Sequence, residues 1–478
     1  MAGPRLAHRR ADQGGDPVRQ GADLPDRVPR LRQPRRRNLG RLHLHPGERQ
    51  PLAVRGQGSH SHQDPACQPH RRLPRPRARG PDRLGRQPHG PRRRHVRPRD
   101  AGHVNRIARV ETFTVALPSL RDFSVAGGSV VQGGRPAVRV LVKVTADDGA
   151  TGWGEATPIP SWTYETTESI VSTIEGYLAP AAVGRPLWDL DGLCRAFDRT
   201  ISKGFSIGMP LARAAVDVAC HDAFARSLGL SLGELWGRRR RDTIELAWIV
   251  ATESAATAAD SVTEGRAHGY RHLKVKVGLH DEDEDMAIVA AVRAAAPDAV
   301  LWVDANQGYT AAAALRVARR LADLDIAVFE QPLPSNDIAG LRRLRDASPV
   351  PVAVDESLRH PSDLATFVRL DAIDVAVAKV QRCGGLTLAL RQCQLAEDCG
   401  LAIMGSGLTE SDVGLAASLH LFAAFGVDTP VDLNGRQFIA SPYATDPVIT
   451  VADGVAHVPT GPGLGIGVDE QVVRALAL

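Results

Sequence analysis

Five apolar runs follow one another at regular spacing in the 478-residue chain: HLKVKV (272–277), AVLWVDAN (299–306), IAVFEQPL (326–333), VPVAVDES (350–357) and VAVAKVQ (375–381). Three more runs extend the series: IELAWIV (244–250), LAIMGSG (401–407) and TPVDLNG (429–435). Helix-like segments rich in Ala, Leu and Arg follow every run except the last. Near-continuous apolar strands are typical of parallel sheets that are buried on both faces. Eight strand–helix units in about 200 residues therefore predict an α/β protein with a (β/α)-barrel.

The chain on either side of the barrel, which we assign to residues 241–435, has a different pattern. In residues 105–240, alternating apolar runs indicate antiparallel strands with a turn at Asp148-Gly149, and amphipathic segments follow. This order predicts an α+β domain. The Gly-rich stretch 122–134 is too polar for a regular element and is predicted to be a loop. Residues 436–478 contain strand signals separated by Gly, and we expect them to return to the first domain.

The first hundred residues differ from the rest in composition. They contain 25 Arg, no Lys, eight acidic residues, 15 Pro and no Ile, Phe, Tyr or Trp, so their net charge is +17. The other residues carry 34 basic and 46 acidic side chains, a net charge of −12. A segment so poor in apolar residues cannot offset its ordering entropy by burial. We predict that residues 1–104 are a disordered or non-native extension.

Two interpretations of this basic extension remain open. Its charge would support a disordered arm that binds nucleic acid. Alternatively, a tract of Arg, Pro, Gly and His without Lys or Ile is what GC-rich DNA yields when it is translated out of frame or upstream of the true start. We favour the second interpretation, with a start near Val104, where the composition changes.

Bulk features of the chain exclude several classes of protein. No stretch approaches the roughly 18 consecutive apolar residues of a membrane span, and the N-terminus lacks the apolar region of a secretory signal. The six cysteines form no CxxC pair and no short disulfide framework. We therefore expect a cytoplasmic protein with reduced thiols and no membrane partner.

One charged residue ends each of five consecutive predicted strands: Lys276, Asp304, Glu330, Asp355 and Lys379. The intervals between them are 28, 26, 25 and 24 residues, which is one strand–helix unit each. We therefore expect them at one level of the barrel, at the C-terminal end where active sites of barrels lie. Acidic side chains on three adjacent strands would repel one another unless a cation neutralised them. Three carboxylates suit Mg²⁺, and Mn²⁺ could replace it.

The lysines of this series suggest acid–base chemistry. Lys274 and Lys276 are two residues apart, so both side chains leave the same face of their strand. Two ammonium groups so close, near an apolar interior, are expected to lower each other's pKa and to make a base. Lys379 lies four strands further on, across the pocket. Bases on both sides of a metal-bound substrate can move a carbon-bound proton.

Five motifs resemble the mandelate racemase/muconate lactonizing enzyme family of the enolase superfamily: KVK (274–276), VDANQGY (303–309), FEQPLP (329–334), DES (355–357) and KVQRCGG (379–385). The resemblance extends from about Ile107 to the C-terminus. A lysine on the second strand together with Lys379 on the sixth resembles the muconate-lactonizing (cycloisomerase) subgroup. Mandelate racemase itself has a His–Asp dyad in place of the second lysine.

The resemblance implies a modified, enolase-like TIM barrel with an N-terminal α+β capping domain. Loops of that domain, here residues 122–134 and 157–167, would close over the substrate. It also implies the role of each charged residue: Asp304, Glu330 and Asp355 as Mg²⁺ ligands, Lys276 and Lys379 as acid–base catalysts, and Lys274 as the residue that tunes Lys276.

Six residues are candidates for substrate binding: Asn306, Glu410, Asp432, Asn434, Trp162 and Tyr164. Glu410 matches a position where the family places an acid near the substrate, or else it caps the next helix. Asp432 and Asn434 occupy a position that contacts the substrate ammonium in members that act on amino-acid derivatives. Trp162 and Tyr164 lie in a capping loop and pack either against the substrate or within the loop.

Together these features predict a Mg²⁺-dependent enzyme that removes or delivers the α-proton of a small carboxylate through a metal-stabilised enolate. Racemisation or epimerisation, dehydration and cycloisomerisation all use the same residues in the subgroup. We favour an amino-acid-like substrate, as in a cis-3-hydroxy-L-proline dehydratase or an N-modified amino acid racemase, with muconate cycloisomerase as the alternative. We also expect a homo-oligomer that binds no nucleic acid.

Two rival functions come from other classes. One is a nucleic-acid-binding protein that uses the Arg-rich extension and keeps the barrel as a scaffold. The other is a barrel hydrolase whose carboxylates hold a metal that activates water. The hydrolase leaves the two opposed lysines, Lys276 and Lys379, without a role.

Overall fold

The computed structural model describes residues 104–204, 206–252 and 254–478. The predicted N-terminal extension, and the nucleic-acid-binding arm considered for it, therefore lie outside the described residues except for Val104. Across the described ranges, we find no helix with the length and apolar character needed to cross a membrane.

The N-terminal part of the described chain begins with five strands: β1 (Ile107–Leu117), β2 (Phe123–Val125), β3 (Gly128–Val131), β4 (Ala137–Ala146) and β5 (Thr151–Ala156). Strands β1, β4 and β5 form an antiparallel sheet in that order. The predicted turn at Asp148-Gly149 is confirmed, since β4 pairs with β5 and the Gly149 N–H donates to the Ala146 carbonyl at 2.9 Å. Residues 139–142 of β4 are all buried, so both faces of this strand are covered there.

The prediction of a loop over residues 122–134 was wrong. Strands β2 and β3 form a two-stranded hairpin there, in which Phe123, Val125 and Val131 are buried. The Phe123 ring stacks on Phe438, with ring centroids 4.4 Å apart. The apolar partner that stabilises the hairpin comes from more than 300 positions away, so local polarity did not reveal it.

Helices follow the sheet: α1 (Pro160–Thr163), α2 (Thr167–Thr173), a π-helical turn (Ile174–Leu178), α3 (Ala179–Ala182), α4 (Leu190–Thr200), α5 (Pro210–Leu228) and α6 (Leu232–Leu235). The stretch 157–167, predicted to be a loop, therefore contains a short helix. Helix α5 is buried on nearly every side because it packs on β5 and also contacts the barrel, where the Thr387 N–H donates to Asp217.

Close approach of β5 to α5 requires glycine on the strand. A Cβ atom on Gly154 would lie 1.9 Å from the Ala215 carbonyl oxygen, and one on Gly152 would lie 2.2 Å from that of Ala219. Both clashes involve helix backbone, which cannot move aside as a side chain can.

The barrel is formed by the next group of elements: β6 (Thr243–Glu245), β7 (Ala247–Val250), α7 (Ala255–Ala267), β8 (His272–Lys276), α8 (Glu282–Ala295), β9 (Leu301–Asp304), α9 (Ala311–Asp323), β10 (Phe329–Glu330), α10 (Ile338–Ala347), β11 (Val352–Val354), α11 (Pro361–Leu370), β12 (Val375–Ala378), α12 (Leu386–Asp398), β13 (Ala402–Gly405) and α13 (Asp412–Phe425). Strands β7 to β13 form a seven-stranded parallel sheet in chain order. The run at 244–250 is two strands rather than one, since β6 leaves the barrel and pairs antiparallel with a strand near the C-terminus.

The eighth predicted strand, 429–435, is not a regular strand. Only Val431 and Asp432 bridge the open edges of the parallel sheet. The Ala247 N–H donates to the Val431 carbonyl at 2.9 Å, and the Asp432 N–H donates to the Gly405 carbonyl at 3.1 Å. These two residues join β7 to β13 and close the barrel.

The remaining elements are short: α14 (Gly435–Phe438), β14 (Ala444–Thr445), β15 (Val451–Ala452), β16 (Val455–His457), β17 (Gly467–Val468) and α15 (Glu470–Ala475). Strand signals were predicted throughout this segment, but residues 470–475 form helix α15. The C-terminal segment lies on the N-terminal sheet, where the Ala116 N–H donates to the Leu476 carbonyl and Lys143 pairs with Glu470 at 2.5 Å.

We predict that Gly154→Ala lowers the free energy of unfolding by about 3 kcal/mol, because the new methyl group overpacks the contact between β5 and α5. Gly176→Ala is the matched control, since a Cβ there meets no atom within 4 Å; it should leave the stability unchanged or raise it by up to about 1 kcal/mol, because Ala is favoured over Gly in a helix. Denaturant unfolding of both variants measures the difference. Equal stabilities would contradict the close packing described for Gly154.

Candidate active site

Strand register brings the charged residues of the barrel to one level. Lys276 lies opposite Asp304 in the pairing of β8 with β9, and Asp304 lies opposite Glu330 in the pairing of β9 with β10. Asp355 and Lys379 each come directly after their strands, β11 and β12. Parallel strands end at the same rim of a barrel, so these five side chains converge at its C-terminal end.

Three buried carboxylates lie together at this rim. Oxygen atoms of Asp304, Glu330 and Asp355 all lie within 4.8 Å of one another, and the three residues are at most 1% exposed. Closely spaced carboxylate oxygens are the donors that a hard divalent cation takes. Apart from its ion pairs with Lys379 and Arg382, Asp355 accepts no hydrogen bond from a described residue. The donor set therefore fits a divalent metal ion.

The ionisation of these carboxylates reflects their mutual repulsion and their cationic neighbours. Burial, reinforced by the charge of Asp304, raises the pKa of Glu330 to about 8. Burial also disfavours the Asp304 carboxylate, but Lys274 and Lys276 outweigh that effect and hold its pKa below its usual range. A cation between the carboxylates would relieve the same repulsion.

Lys274 is held by three acids. Its Nζ lies 2.9 Å from both Asp304 and Glu330 and 2.8 Å from Asp432, and its side chain is fully buried. Burial favours the neutral amine, but these carboxylates outweigh it and raise the pKa of Lys274 well above its ordinary value. The expectation of a lowered pKa at Lys274 was therefore wrong, because sequence spacing showed the neighbouring lysine and not the surrounding acids.

Lys276 faces a different environment from Lys274. Its Nζ donates to Asp304 Oδ2 at 2.8 Å and to Asn306 Oδ1 at 3.0 Å. The Asn306 backbone adopts φ +40°, and its N–H donates to the other Asp304 oxygen at 2.9 Å. Asn306 thus positions both the lysine and the carboxylate.

Across the rim, Lys379 pairs with Asp355 at 2.7 Å. The indole of Trp162, carried by α1 of the capping domain, lies over both lysines: its ring centroid is 4.5 Å from Lys379 Nζ and 5.8 Å from Lys276 Nζ. Trp162 is buried, whereas Tyr164, at the end of the same helix, is 52% exposed. The capping helix therefore brings one of its two candidate aromatic residues to the charged cluster.

Two residues at the site were missed from the sequence, Arg382 and Glu356. The Arg382 guanidinium is buried, with Nε 3.2 Å from Asp355 Oδ1 and its centre 5.5 Å from the Trp162 ring centroid. Glu356 Oε1 accepts hydrogen bonds from Trp162 Nε1 at 2.9 Å and from Asn306 Nδ2 at 3.0 Å. Both residues lie inside motifs already quoted, KVQRCGG and DES, where a charge among buried neighbours could have identified them.

Glu410 does not cap α13. Instead Glu155, from β5 of the capping domain, accepts from the N–H groups of Ser411 at 2.8 Å and Gly414 at 2.9 Å. The Glu410 side chain is buried, and its Oε1 has no donor among the described residues. Burial is the main cause that raises the pKa of Glu410 to about 7.

The two candidates after the eighth strand position are also buried. Asp432 Oδ2 pairs with Lys274, while Asp432 Oδ1 and Asn434 Oδ1 receive no hydrogen bond from the described part of the chain. The prediction that these residues meet a substrate ammonium is not tested by these contacts. Two buried acceptor atoms, Asp432 Oδ1 and Asn434 Oδ1, therefore have no donor among the described residues.

Fold and site define the class of this protein: a (β/α)-barrel with a capping domain, whose carboxylate triad lies beside two lysines. Residues 109–237 match the family model of the mandelate racemase / muconate lactonizing enzyme N-terminal domain, and residues 255–472 match that of the enolase C-terminal domain-like family. The chain belongs to the mandelate racemase/muconate lactonizing enzyme family of the enolase superfamily, in the muconate-lactonizing subgroup. It is an isomerase or lyase, and the predicted family, fold class and enzyme class are confirmed.

Relatives with two different activities are similarly close. The chain is 33% identical to muconate cycloisomerase 1-2 of Acinetobacter lwoffii over 78% of its length and 95% of that protein. It is 31% identical to the L-Ala-D/L-Glu epimerase of Bacillus subtilis over 76% of its length and 96% of that protein. A solved structure is also similar to this chain. The muconate lactonizing enzyme of Pseudomonas fluorescens with muconolactone has a TM-score of 0.73 at 29% identity, covering 79% of this chain and 100% of that chain.

We predict that Glu410→Gln flattens part of the pH dependence of stability. A folded-state pKa raised to about 7 from 4.5 means that the group's contribution is fully present at low pH and is lost as the pH rises through 7. Between about pH 4 and about pH 8, the wild type should lose roughly 3 kcal/mol relative to the variant. Denaturant unfolding of both proteins at both pH values measures this change. If the difference in stability between wild type and variant is the same at the two pH values, the prediction is wrong.

Proposed function

We propose that the enzyme transfers the α-proton of a small carboxylate that carries an amino nitrogen, with Lys276 and Lys379 as the acid–base pair. The observation that supports this substrate class is a set of buried acceptor atoms without donors. Glu410 Oε1, Asp432 Oδ1 and Asn434 Oδ1 receive no hydrogen bond from the described residues. Buried polar atoms are normally satisfied, and the N–H groups of an ammonium would satisfy these. A second carboxylate there would instead be repelled.

The carboxylates of Asp304, Glu330 and Asp355 would hold Mg²⁺, which Mn²⁺ could replace. When bound, the cation would stabilise the negative charge that develops on a substrate carboxylate as its α-proton leaves. Lys274 remains charged among the acids and does not need to exchange a proton; we assign it the role of fixing Asp304, Glu330 and Asp432.

The two acid–base lysines approach the site from strands that lie four apart in the barrel. A proton removed by one lysine and returned by the other inverts the α-carbon, which gives racemisation or epimerisation. If the substrate carries a leaving group on the β-carbon, the same proton removal gives elimination. Trp162 covers both lysines, so it would exclude water while the proton is transferred.

Muconate cycloisomerisation is the second candidate function. Two relatives described above are muconate-converting enzymes by name, and they align over nearly their whole length. The epimerase from Bacillus subtilis, named for a substrate built from Ala and Glu, is similar to the same extent. Similarity therefore supports the shared proton chemistry, and the unpaired acceptors decide our choice of substrate class.

Solvent exchange in D₂O tests the proton transfer. With Mg²⁺ present, we expect deuterium at the α-carbon of at least one substrate in a panel of α-amino acids, N-acyl-amino acids, hydroxyprolines and cis,cis-muconate. Starting from a single enantiomer, Lys276→Ala and Lys379→Ala should each lower the formation of the inverted, deuterated product by about 10²–10⁴-fold, the usual contribution of a positioned acid or base. Lys203→Ala is the matched control, because this lysine pairs with Asp198 in the capping domain.

Undiminished formation of the inverted, deuterated product in either lysine variant would contradict the acid–base assignment. Conversion of muconate alone would contradict the substrate class but would leave the lysine roles intact.

A second variant tests the substrate class directly. Asn434→Leu removes the acceptor oxygen and keeps a side chain of similar size. We expect it to lower kcat/KM for an amine-bearing substrate by about tenfold, because one hydrogen bond to a charged group is lost. The same variant should leave kcat/KM for a diacid without nitrogen unchanged or raised. Steady-state kinetics with both substrates gives the comparison, and equal losses for both would contradict the proposed contact.

A further inference from the structure

A cavity with a volume of about 690 Å³ lies beside the catalytic rim. It is bounded by the segment after β10, which contributes Ser335 and Asn336, by the segment after β11, which contributes Ser357 and Arg359, and by helix α11. None of the three clustered carboxylates and none of the lysines line it. The cavity is therefore distinct from the charged cluster, although Ser357 is only two positions after Asp355.

Arg359 contributes to this cavity a guanidinium that forms no ion pair with a described residue. Its Nε is buried without a hydrogen-bond partner, and its guanidinium pairs with no carboxylate and donates to no acceptor among the described residues. Arg345, on the neighbouring helix α10, shows the usual arrangement, since it pairs with both Asp371 and Asp374. A buried N–H group without an acceptor is costly, and the oxygens of an oxyanion in the cavity would supply the missing acceptors.

The one acidic residue in the lining, Asp363, balances the charge of Arg359 but does not pair with its guanidinium. Its Oδ2 already accepts from the N–H groups of Arg359 and His360, both at 3.1 Å, and from the Ser206 hydroxyl at 2.5 Å. These bonds fix the first turn of α11. The carboxylate is therefore occupied by structural donors, and the guanidinium of Arg359 stays free.

Further donors surround the guanidinium. The Ser335 hydroxyl and the Asn336 amide line the cavity, and neither side chain forms a hydrogen bond within the described part of the chain. A guanidinium offers several N–H groups in one plane, which match the oxygens of a carboxylate or phosphate group. The lining thus combines one charged and two neutral donor groups around a space large enough for a small molecule.

We propose that this cavity binds a small oxyanion, a carboxylate or a phosphate group, through Arg359 with Ser335 and Asn336. The site is separate from the carboxylate triad and from the lysines, so its existence does not depend on the reaction proposed above.

Calorimetric titration of the full chain tests this site. Inorganic phosphate and succinate are titrated separately at constant ionic strength, into the wild type, Arg359→Gln and Arg369→Gln. Arg369 lies exposed on the same helix and away from the cavity, so it is the matched control. We expect at least one anion to bind, with affinity at least about tenfold weaker in Arg359→Gln, as expected for a lost charge-assisted hydrogen bond, and unchanged in Arg369→Gln.

Two further variants keep the test decisive. Lys379→Ala should retain the anion affinity, which separates this cavity from the catalytic cations. If Arg359→Gln does not fold, Asn336→Ala, an exposed position, should still weaken binding severalfold. Binding of phosphate alone or of succinate alone identifies the anion and supports the site. No binding to the wild type, equal binding to Arg359→Gln, or loss of binding in Lys379→Ala would overturn it.

Discussion

The ion pairs of Lys274 with Asp304, Glu330 and Asp432 are the interaction on which the rest of the site depends. All four of these side chains are buried, and a buried charge is tolerated only when partners and hydrogen bonds compensate it. The lysine draws together carboxylates from β9, β10 and the closing residue of the barrel. It thereby holds two acids of the triad together, while the neighbouring Lys276 contacts Asp304 and Asn306.

The capping domain completes this arrangement from outside the barrel. Glu155 on β5 binds the N-terminal N–H groups of α13, and Trp162 on α1 hydrogen-bonds to Glu356, which directly follows Asp355 of the carboxylate triad. A negatively charged side chain at a helix N-terminus is favourable because of the helix dipole. The capping sheet and the catalytic rim are therefore joined by buried polar contacts, and displacement of the cap would expose both lysines to water.

Much of the fold and the carboxylate triad could be predicted from the sequence, because a strand–helix repeat sets both the barrel and the spacing from Asp304 to Asp355. The remainder depends on partners that are distant in the chain. The hairpin at Phe123 needs Phe438, and the barrel closes through Val431 and Asp432 with too few paired residues to form a regular strand. The acids around Lys274 raise its pKa, although spacing from Lys276 predicted the opposite. Spacing alone carries no information about such neighbours.

We infer that Asp304, Glu330 and Asp355 form one site for a divalent cation. Calorimetric titration of Mg²⁺ into metal-free chain tests it most directly, with Glu330→Gln as the variant and the exposed Glu284→Gln as the control. We expect one ion bound per chain in the wild type and in Glu284→Gln, and binding that is lost or strongly weakened in Glu330→Gln. Absence of binding to the wild type, or undiminished binding to Glu330→Gln, would contradict it.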